Sequence, residues 1–228
     1  MIARHIARFL GAAVVTGWAL SGAPVPPALA QPSVQTQSCP DVEVVFARGT
    51  FEPPGLGGVG QSFVDSLRSA VGDKSVGVYA VNYPASTDFP TGIIGIEDAS
   101  AHVESMAANC PKTEIVLGGF SQGAAVAGFV TSAAVPEGVS AADVPGPMPP
   151  EVADHVAAVV LFGKPSNQFM NMVGQPPLTI GPLYAGKTID LCVANDPICA
   201  DNGEFAAHNL YVGNGMTGEA TAFVVSRL

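Results

Sequence analysis

Short runs of apolar, mostly β-branched residues recur along the chain and alternate with longer stretches that suit helices. The runs Val42–Ala47, Val76–Val81, Glu114–Gly118, Val156–Phe162 and Thr188–Val193 read as strands. Each of the first three is followed by a Gly- or Pro-bearing turn and a helical stretch, at Val59–Val71, Gly92–Asn109 and Gln122–Thr131. A last helix is expected over Thr217–Arg227. This alternation predicts an α/β domain in which helices cover both faces of a parallel sheet.

Two stretches break the rhythm. Val135–Pro150 holds Pro136, Pro145, Pro147, Pro149 and Pro150, so it can be neither helix nor central strand. It is expected to be a surface connection within one domain, because the strand pattern resumes directly after it. Lys164–Lys187 is rich in Pro, Asn, Gln, Met and Gly, and reads equally as a cover over a binding surface or as a plain long loop.

The first thirty residues change the picture of what folds. Arg4 and Arg8 precede an apolar run, Phe9 to Leu20, and Ala28-Leu29-Ala30 is a small-x-small cleavage site. The run is too short to span a bilayer and ends among prolines, so Met1–Ala30 is expected to be a cleaved secretory signal peptide. The arginines are not adjacent, so a twin-arginine signal is not supported. What remains is residues 31–228, the length of a single domain, with no later segment long and apolar enough to cross a membrane. The whole chain has a formal charge of −10, and removal of a leader with two arginines and no acids leaves −12. Such a surface repels nucleic acid and anionic membranes, so neither is an expected partner.

Four cysteines in an exported chain, Cys39, Cys110, Cys192 and Cys199, are most simply two disulfides, for which three pairings exist. Cys192 and Cys199 are close enough to close a small loop, which would leave Cys39 and Cys110 to tie the chain start to the end of a helix. No C-x₂-C pair or histidine cluster suggests a metal, and no cofactor is expected.

The chemistry gathers at Gly119-Phe120-Ser121-Gln122-Gly123. A buried-type strand runs into this G-x-S-x-G and small residues suited to a helix run out of it, the context of a nucleophile elbow. The flanking glycines allow the sharp turn that would leave Ser121 exposed, strained, and at a helix start. The competing reading is a Gly-rich helix entry with Ser121 as its cap.

A serine hydroxyl needs a base, and in this architecture the order is Ser, acid, His. His102 precedes Ser121 and reads as a polar helix-face residue; His155 sits at the end of the sheet opposite the strands' carboxyl ends. His208 remains, in the loop before the last helix. Asp196, inside Cys192-Val-Ala-Asn-Asp-Pro-Ile-Cys199, suits the acid that fixes the imidazole, ahead of mid-strand Asp190 and of Asp201 beyond the cysteine loop. An oxyanion hole would use the backbone N–H of Gln122 and a donor from Ala47-Arg48-Gly49-Thr50, where Thr50 stands ready; a bland turn reads as well for that tetrapeptide.

With Ala47-Arg48-Gly49-Thr50, the elbow, Cys192-x₃-Asp196-x₂-Cys199 and His208 before Leu210-Tyr211 in this order, nearly all of the chain beyond the leader resembles the cutinase family, and in particular its actinobacterial esterases. The resemblance implies a small α/β-hydrolase with a central five-stranded parallel sheet and no large lid. It implies the pairings Cys39–Cys110 and Cys192–Cys199, the triad Ser121, Asp196 and His208, and an oxyanion hole at Thr50 and Gln122. Two positions depart from the fungal pattern, Thr50 where Ser is usual and Phe120 where Tyr is usual.

The expected activity is hydrolysis of short- to medium-chain acyl esters through an acyl-enzyme, with Phe89, Ile93 and Phe205 as residues of an acyl groove. A polyester such as cutin, a lipid or phospholipid, an acetylated sugar, or acyl transfer to an alcohol would use the same residues. From another class, a secreted binding protein or antigen could retain the fold without turnover. The partner expected is an ester or lipid-like small molecule, and the protein is expected to be a monomer.

Overall fold

The computed structural model describes residues 38–228, so the expected leader lies outside the described residues. In chain order the elements are β1 (Val42–Ala47), α1 (Gly57–Ala70), β2 (Val76–Ala80), α2 (Gly92–Asn109), β3 (Glu114–Phe120) and α3 (Gln122–Val130), followed by β4 (Val156–Phe162), α4 (Asn167–Met172), α5 (Pro182–Ala185), β5 (Thr188–Leu191) and α6 (Met216–Val225). The five strands pair in the order β2-β1-β3-β4-β5, and every pairing is parallel.

Successive side chains of a strand point to opposite faces, and the sheet buries both. Val45, Leu117 and Leu161 face one way and pack with Ala99 and Val103 of α2 and Ala124 and Ala127 of α3. Val44, Phe46, Val116 and Phe162 face the other way and pack with Phe63 and Leu67 of α1 and Ala220 and Val224 of α6. The helix that leaves β1 therefore lies on one face and the helix that leaves β3 on the other. Between the carboxyl ends of these neighbouring strands the connections part, and a crevice opens there.

The expected strands and main helices are present, with β3 two residues longer than expected and β2 and β5 shorter. Cys39 pairs with Cys110 and Cys192 with Cys199. The first bridge closes a separation of 71 residues, worth nominally about 4 kcal/mol as a restriction on the unfolded chain. Lys164–Lys187 is not plain loop, since it contains α4 and α5. These short helices were not expected; six and four residues carry too little periodicity to register in a sequence. Ser166 opens α4 by accepting the Phe169 N–H at 3.1 Å, and Pro182 starts α5. Val135–Pro150 is neither helix nor strand through residue 149, as expected, and its Met148 is buried in the core. Among the described residues no buried side-chain polar atom lacks a hydrogen-bond partner, and no helix is long and apolar enough to cross a membrane.

Candidate active site

Ser121 joins β3 to α3 with φ 56° and ψ −119°. That backbone region strains any residue with a side chain, by about 1–3 kcal/mol. Its N–H is fixed by the Phe162 carbonyl at 2.9 Å, and its own carbonyl accepts the Ala124 and Ala125 N–H groups at 2.9 and 3.1 Å. The Ser121 side chain makes no cap hydrogen bond, so the helix-capping reading fails. The flanking glycines allow this turn through their lack of a side chain, not through their own dihedrals. Neither adopts a positive φ; the unusual conformation falls on the serine itself. A Cβ on Gly119 would lie 2.1 Å from the Gly123 carbonyl oxygen, and one on Gly123 would lie 2.0 Å from that of Ala47. The glycines let strand, helix and the end of β1 touch backbone to backbone.

Asp196 and His208 come together as the loop spacing suggested. Asp196 is fully buried, and its Oδ2 accepts a hydrogen bond from His208 Nδ1 at 2.7 Å. The same oxygen accepts the Tyr211 hydroxyl at 2.5 Å, while Oδ1 accepts the Ile198 N–H at 2.9 Å. Burial pushes this carboxyl up, but the bonds from His208, Tyr211 and Ile198 outweigh it and hold the group below the usual aspartate range. The Cys192–Cys199 bridge closes the loop around Asp196. His208 is partly buried, its ring stacked on Phe120 with centroids 4.8 Å apart.

The other histidines and acids fall elsewhere. His102 pairs with Glu43 of β1 at 3.1 Å and stacks on Tyr79, so it is not a free polar face. His155 ends a short 3₁₀ turn just before β4, at the far end of the sheet. Asp190 pairs with Lys164 at 3.2 Å, and Asp201 is exposed.

The loop after β1 carries an arrangement the sequence did not reveal. Arg48 is buried, donating from Nε to the Glu52 carbonyl at 2.8 Å and from its terminal nitrogens to the carbonyls of Val81 and Tyr83 at 3.4 and 2.7 Å. Tyr83 returns its hydroxyl to the Arg48 carbonyl, and burial pushes that phenol far above its ordinary pKa. The Glu52 carboxylate accepts the Gly49 N–H at 2.6 Å and the Gly58 N–H, in the first turn of α1, at 2.7 Å. Thr50 is thereby held against α3. Its hydroxyl donates to Gln122 Oε1 at 3.1 Å, and Gln122 Nε2 donates to the Ser86 carbonyl at 3.1 Å. The Thr50 hydroxyl is thus used in orienting Gln122. The Gln122 N–H opens α3, where no carbonyl of the same helix can reach it. A buried arginine has no periodic signature, and its partners are backbone carbonyls, which any residue type supplies.

A cavity of about 800 Å³ joins these parts at the carboxyl ends of the strands. Thr50, Ser121, Gln122 and His208 all line it, and so do Phe89, Ile93 and Phe205, the residues expected in an acyl groove. The two irregular stretches line it as well, so Val135–Pro150 is more than a surface connection and Lys164–Lys187 forms part of the cavity wall. Their glycine and proline content hides this from a sequence, because a wall made of irregular backbone has no period. Among the described residues no group of three or more His, Cys, Asp or Glu side chains could hold a metal ion.

Comparison with known proteins places the chain in a family. Residues 38–228 match the family model described as Cutinase. The chain is 61% identical over 168 residues to the probable carboxylesterase Culp5 of Mycobacterium tuberculosis, covering 74% of this chain and 96% of that protein. It is 50% identical over 232 residues to the carboxylesterase Culp1 of Mycobacterium bovis, covering 100% and 98%. A phospholipase of M. tuberculosis, Culp4, is 47% identical over 222 residues, covering 97% and 93%. Among solved structures, a Trichoderma reesei cutinase in complex with a phosphonate inhibitor aligns with TM-score 0.59 and 34% identity over 82% of this chain and 76% of that one. An acetylxylan esterase aligns with TM-score 0.68 and 25% identity over 83% and 99%. With the family model matched over residues 38–228 and relatives at 50% identity across the whole chain, this chain belongs to the cutinase family.

Proposed function

We propose that the protein is an exported serine carboxylesterase that works through an acyl-enzyme on Ser121. The observation that carries this reading is the hydrogen bond from His208 Nδ1 to buried Asp196, in a cavity that also exposes a serine held at positive φ. With its Nδ1–H bound to the carboxylate, the imidazole presents a lone pair on Nε2 to the cavity. Ser121 Oγ attacks the ester carbonyl carbon as Nε2 takes its proton. The carbonyl oxygen gains the negative charge and is held by the backbone N–H groups of Gln122 and Thr50. Collapse breaks the bond to the alcohol oxygen, which leaves with the proton from His208. Water then attacks the acyl-enzyme, His208 takes the water's proton and returns it to Ser121, and the acid is released.

Relatives named carboxylesterase and phospholipase have acyl-ester cleavage in common, which supports the reaction class. Two disulfides suit an oxidising compartment, and with the leader they support export, with cleavage after Ala30. The domain is proposed to act as a monomer without a cofactor.

A p-nitrophenyl alkylphosphonate tests the mechanism. It is expected to add one phosphonyl group to the peptide containing Ser121 and to abolish hydrolysis of p-nitrophenyl butanoate in the same proportion. Folded protein that stays unlabelled, or is labelled elsewhere while activity is lost, would remove Ser121 as the nucleophile.

Tyr211 shares Oδ2 of Asp196 with His208, which makes it a positioning residue. In Tyr211→Phe the Asp196 carboxyl loses one of the hydrogen bonds that hold it below the usual range, so its pKa is expected to rise. Because a lowered carboxyl stabilises the fold above its unfolded pKa and that contribution is lost as pH falls through the folded pKa, the loss of stability in acid is expected to begin at higher pH than in the wild type. Stability should fall by about 1–3 kcal/mol, because the Val193 N–H, 3.3 Å from the phenol oxygen, loses its acceptor. An acid-side stability profile that stays in place while stability at neutral pH drops would show that Tyr211 only packs.

A further inference from the structure

The inference here rests on the serine esterase reading and concerns what that site accepts. The cavity that opens at Ser121 runs the length of α3. Its floor is made of Ser121, Ala125 and Phe129 and, beside them, Gln122, Val126 and Val130. These are two rows spaced by four residues, so they occupy one face of the helix. The cavity reaches Ser132, eleven residues beyond Ser121, and at 1.5 Å per residue that is about 16 Å. Ile96 of α2, Phe169 and Val173 of the α4 region, and Val135, Val139 and Val144 of the proline-rich segment line it as well.

That segment is anchored at its end, where Met148 is buried in the core and the Pro149 carbonyl accepts the Val152 N–H at 3.0 Å. Before that anchor, among the described residues, its hydrogen bonds run within itself, from the Val139 N–H to Pro136, from the Asp143 N–H to Ser140 and from the Ala142 N–H to the Ser140 hydroxyl. Its Val135, Val139 and Val144 border the cavity together with the apolar residues of α3, and an apolar occupant would meet both sets. A staggered hydrocarbon chain advances about 1.25 Å per carbon, so about 16 Å corresponds to roughly twelve or thirteen carbons.

The charges select at the other end of the ester. Glu52, Asp143 and His208 are the titratable groups that line the cavity, and among the described residues no Lys or Arg lines it. Arg48 is buried with its nitrogens on the carbonyls of Glu52, Val81 and Tyr83. A phosphate in this cavity would find carboxylates in the lining and no Lys or Arg to replace its water.

We propose that the site is specific for esters of one unbranched acyl chain of about twelve carbons with an uncharged alcohol. The chain lies along α3 beneath the proline-rich segment with its carbonyl at Ser121, and the head group remains at the mouth.

Hydrolysis of p-nitrophenyl esters from C2 to C16 tests the chain. In the wild type, kcat/KM is expected to rise at least tenfold from C4 to C12 and to stop rising by C14. Ala125→Phe, one turn along α3 from Ser121, should move the optimum to C6 or shorter, and Ser132→Trp, at the far end, to about C8–C10. A graded shift that follows position along the helix is not what a general packing defect produces, since that would lower all chain lengths together. A Ser121-dependent wild-type optimum at C4 or below overturns the channel and leaves the esterase standing; no turnover at any length overturns the reading beneath it. For the head group, monododecanoylglycerol is expected to be cleaved at least tenfold faster than dodecanoyl lysophosphatidylglycerol in the same detergent. Equal rates, or a faster phospholipid, overturn the preference for an uncharged alcohol.

Discussion

Ser121→Ala is expected to lower kcat/KM for p-nitrophenyl butanoate by about 10⁵–10⁶, with the fold and both disulfides intact. A water molecule in the same cavity would lack the covalent route, and His208 would have no hydroxyl to activate. The backbone at this position adds a second readout. At φ 56° and ψ −119° an alanine keeps the strain of the serine, whereas glycine does not. Ser121→Gly should be as inactive as Ser121→Ala and more stable than it by about 1 kcal/mol, the strain released being partly offset by glycine's larger unfolded-state entropy. For a domain of this size that is about 2–4 °C in Tm. Wild-type activity in either variant would end the nucleophile assignment, and a glycine variant that melts below the alanine variant would mean that the elbow stores no strain.

Strain of this kind explains why the site was more legible than its surroundings. Ser121 was readable because a strand, two glycines and a helix start are local features, and the elbow falls where they meet. Asp196 and His208 were readable by elimination, since the chain offers few histidines and the cysteine spacing marks one acid. The parallel sheet followed from β-branched runs, and its ends were off by only two residues. The parts that stayed hidden are held by contacts distant in sequence. Arg48 meets Val81 and Tyr83 across 33 and 35 residues, and Glu43 meets His102 across 59. Tyr211 stood in a recognised motif, but its role shows only when its hydroxyl lands on the same oxygen as His208. The cavity's walls were the least legible, because proline and glycine announce irregular backbone without saying what it encloses.

Asp196→Asn is expected to lower kcat near neutral pH by about 10³–10⁴ with little change in KM. Three donors converge on this buried carboxylate, from His208, Tyr211 and Ile198, and an amide offers one oxygen and one NH₂ group. With the oxygen toward His208 and Tyr211, the NH₂ confronts the Ile198 N–H. With the oxygen toward Ile198, the NH₂ confronts His208 Nδ1, which can then only accept. That tautomer carries its proton on Nε2, the atom that must take the proton of Ser121. Either arrangement leaves buried donors unpaired, so stability should fall by about 1–3 kcal/mol at neutral pH. The sign of its pH dependence follows from the lowered Asp196 carboxyl. A depressed folded-state pKa stabilises the fold above the unfolded value, near 3.9, and that contribution is lost as pH falls through the folded value. The variant has no such group, so the gap between wild type and Asp196→Asn in urea melts should narrow below about pH 4. A gap that stays constant to lower pH would mean that the loss comes from packing alone. A variant that keeps wild-type kcat at neutral pH would separate Asp196 from the choice of imidazole tautomer.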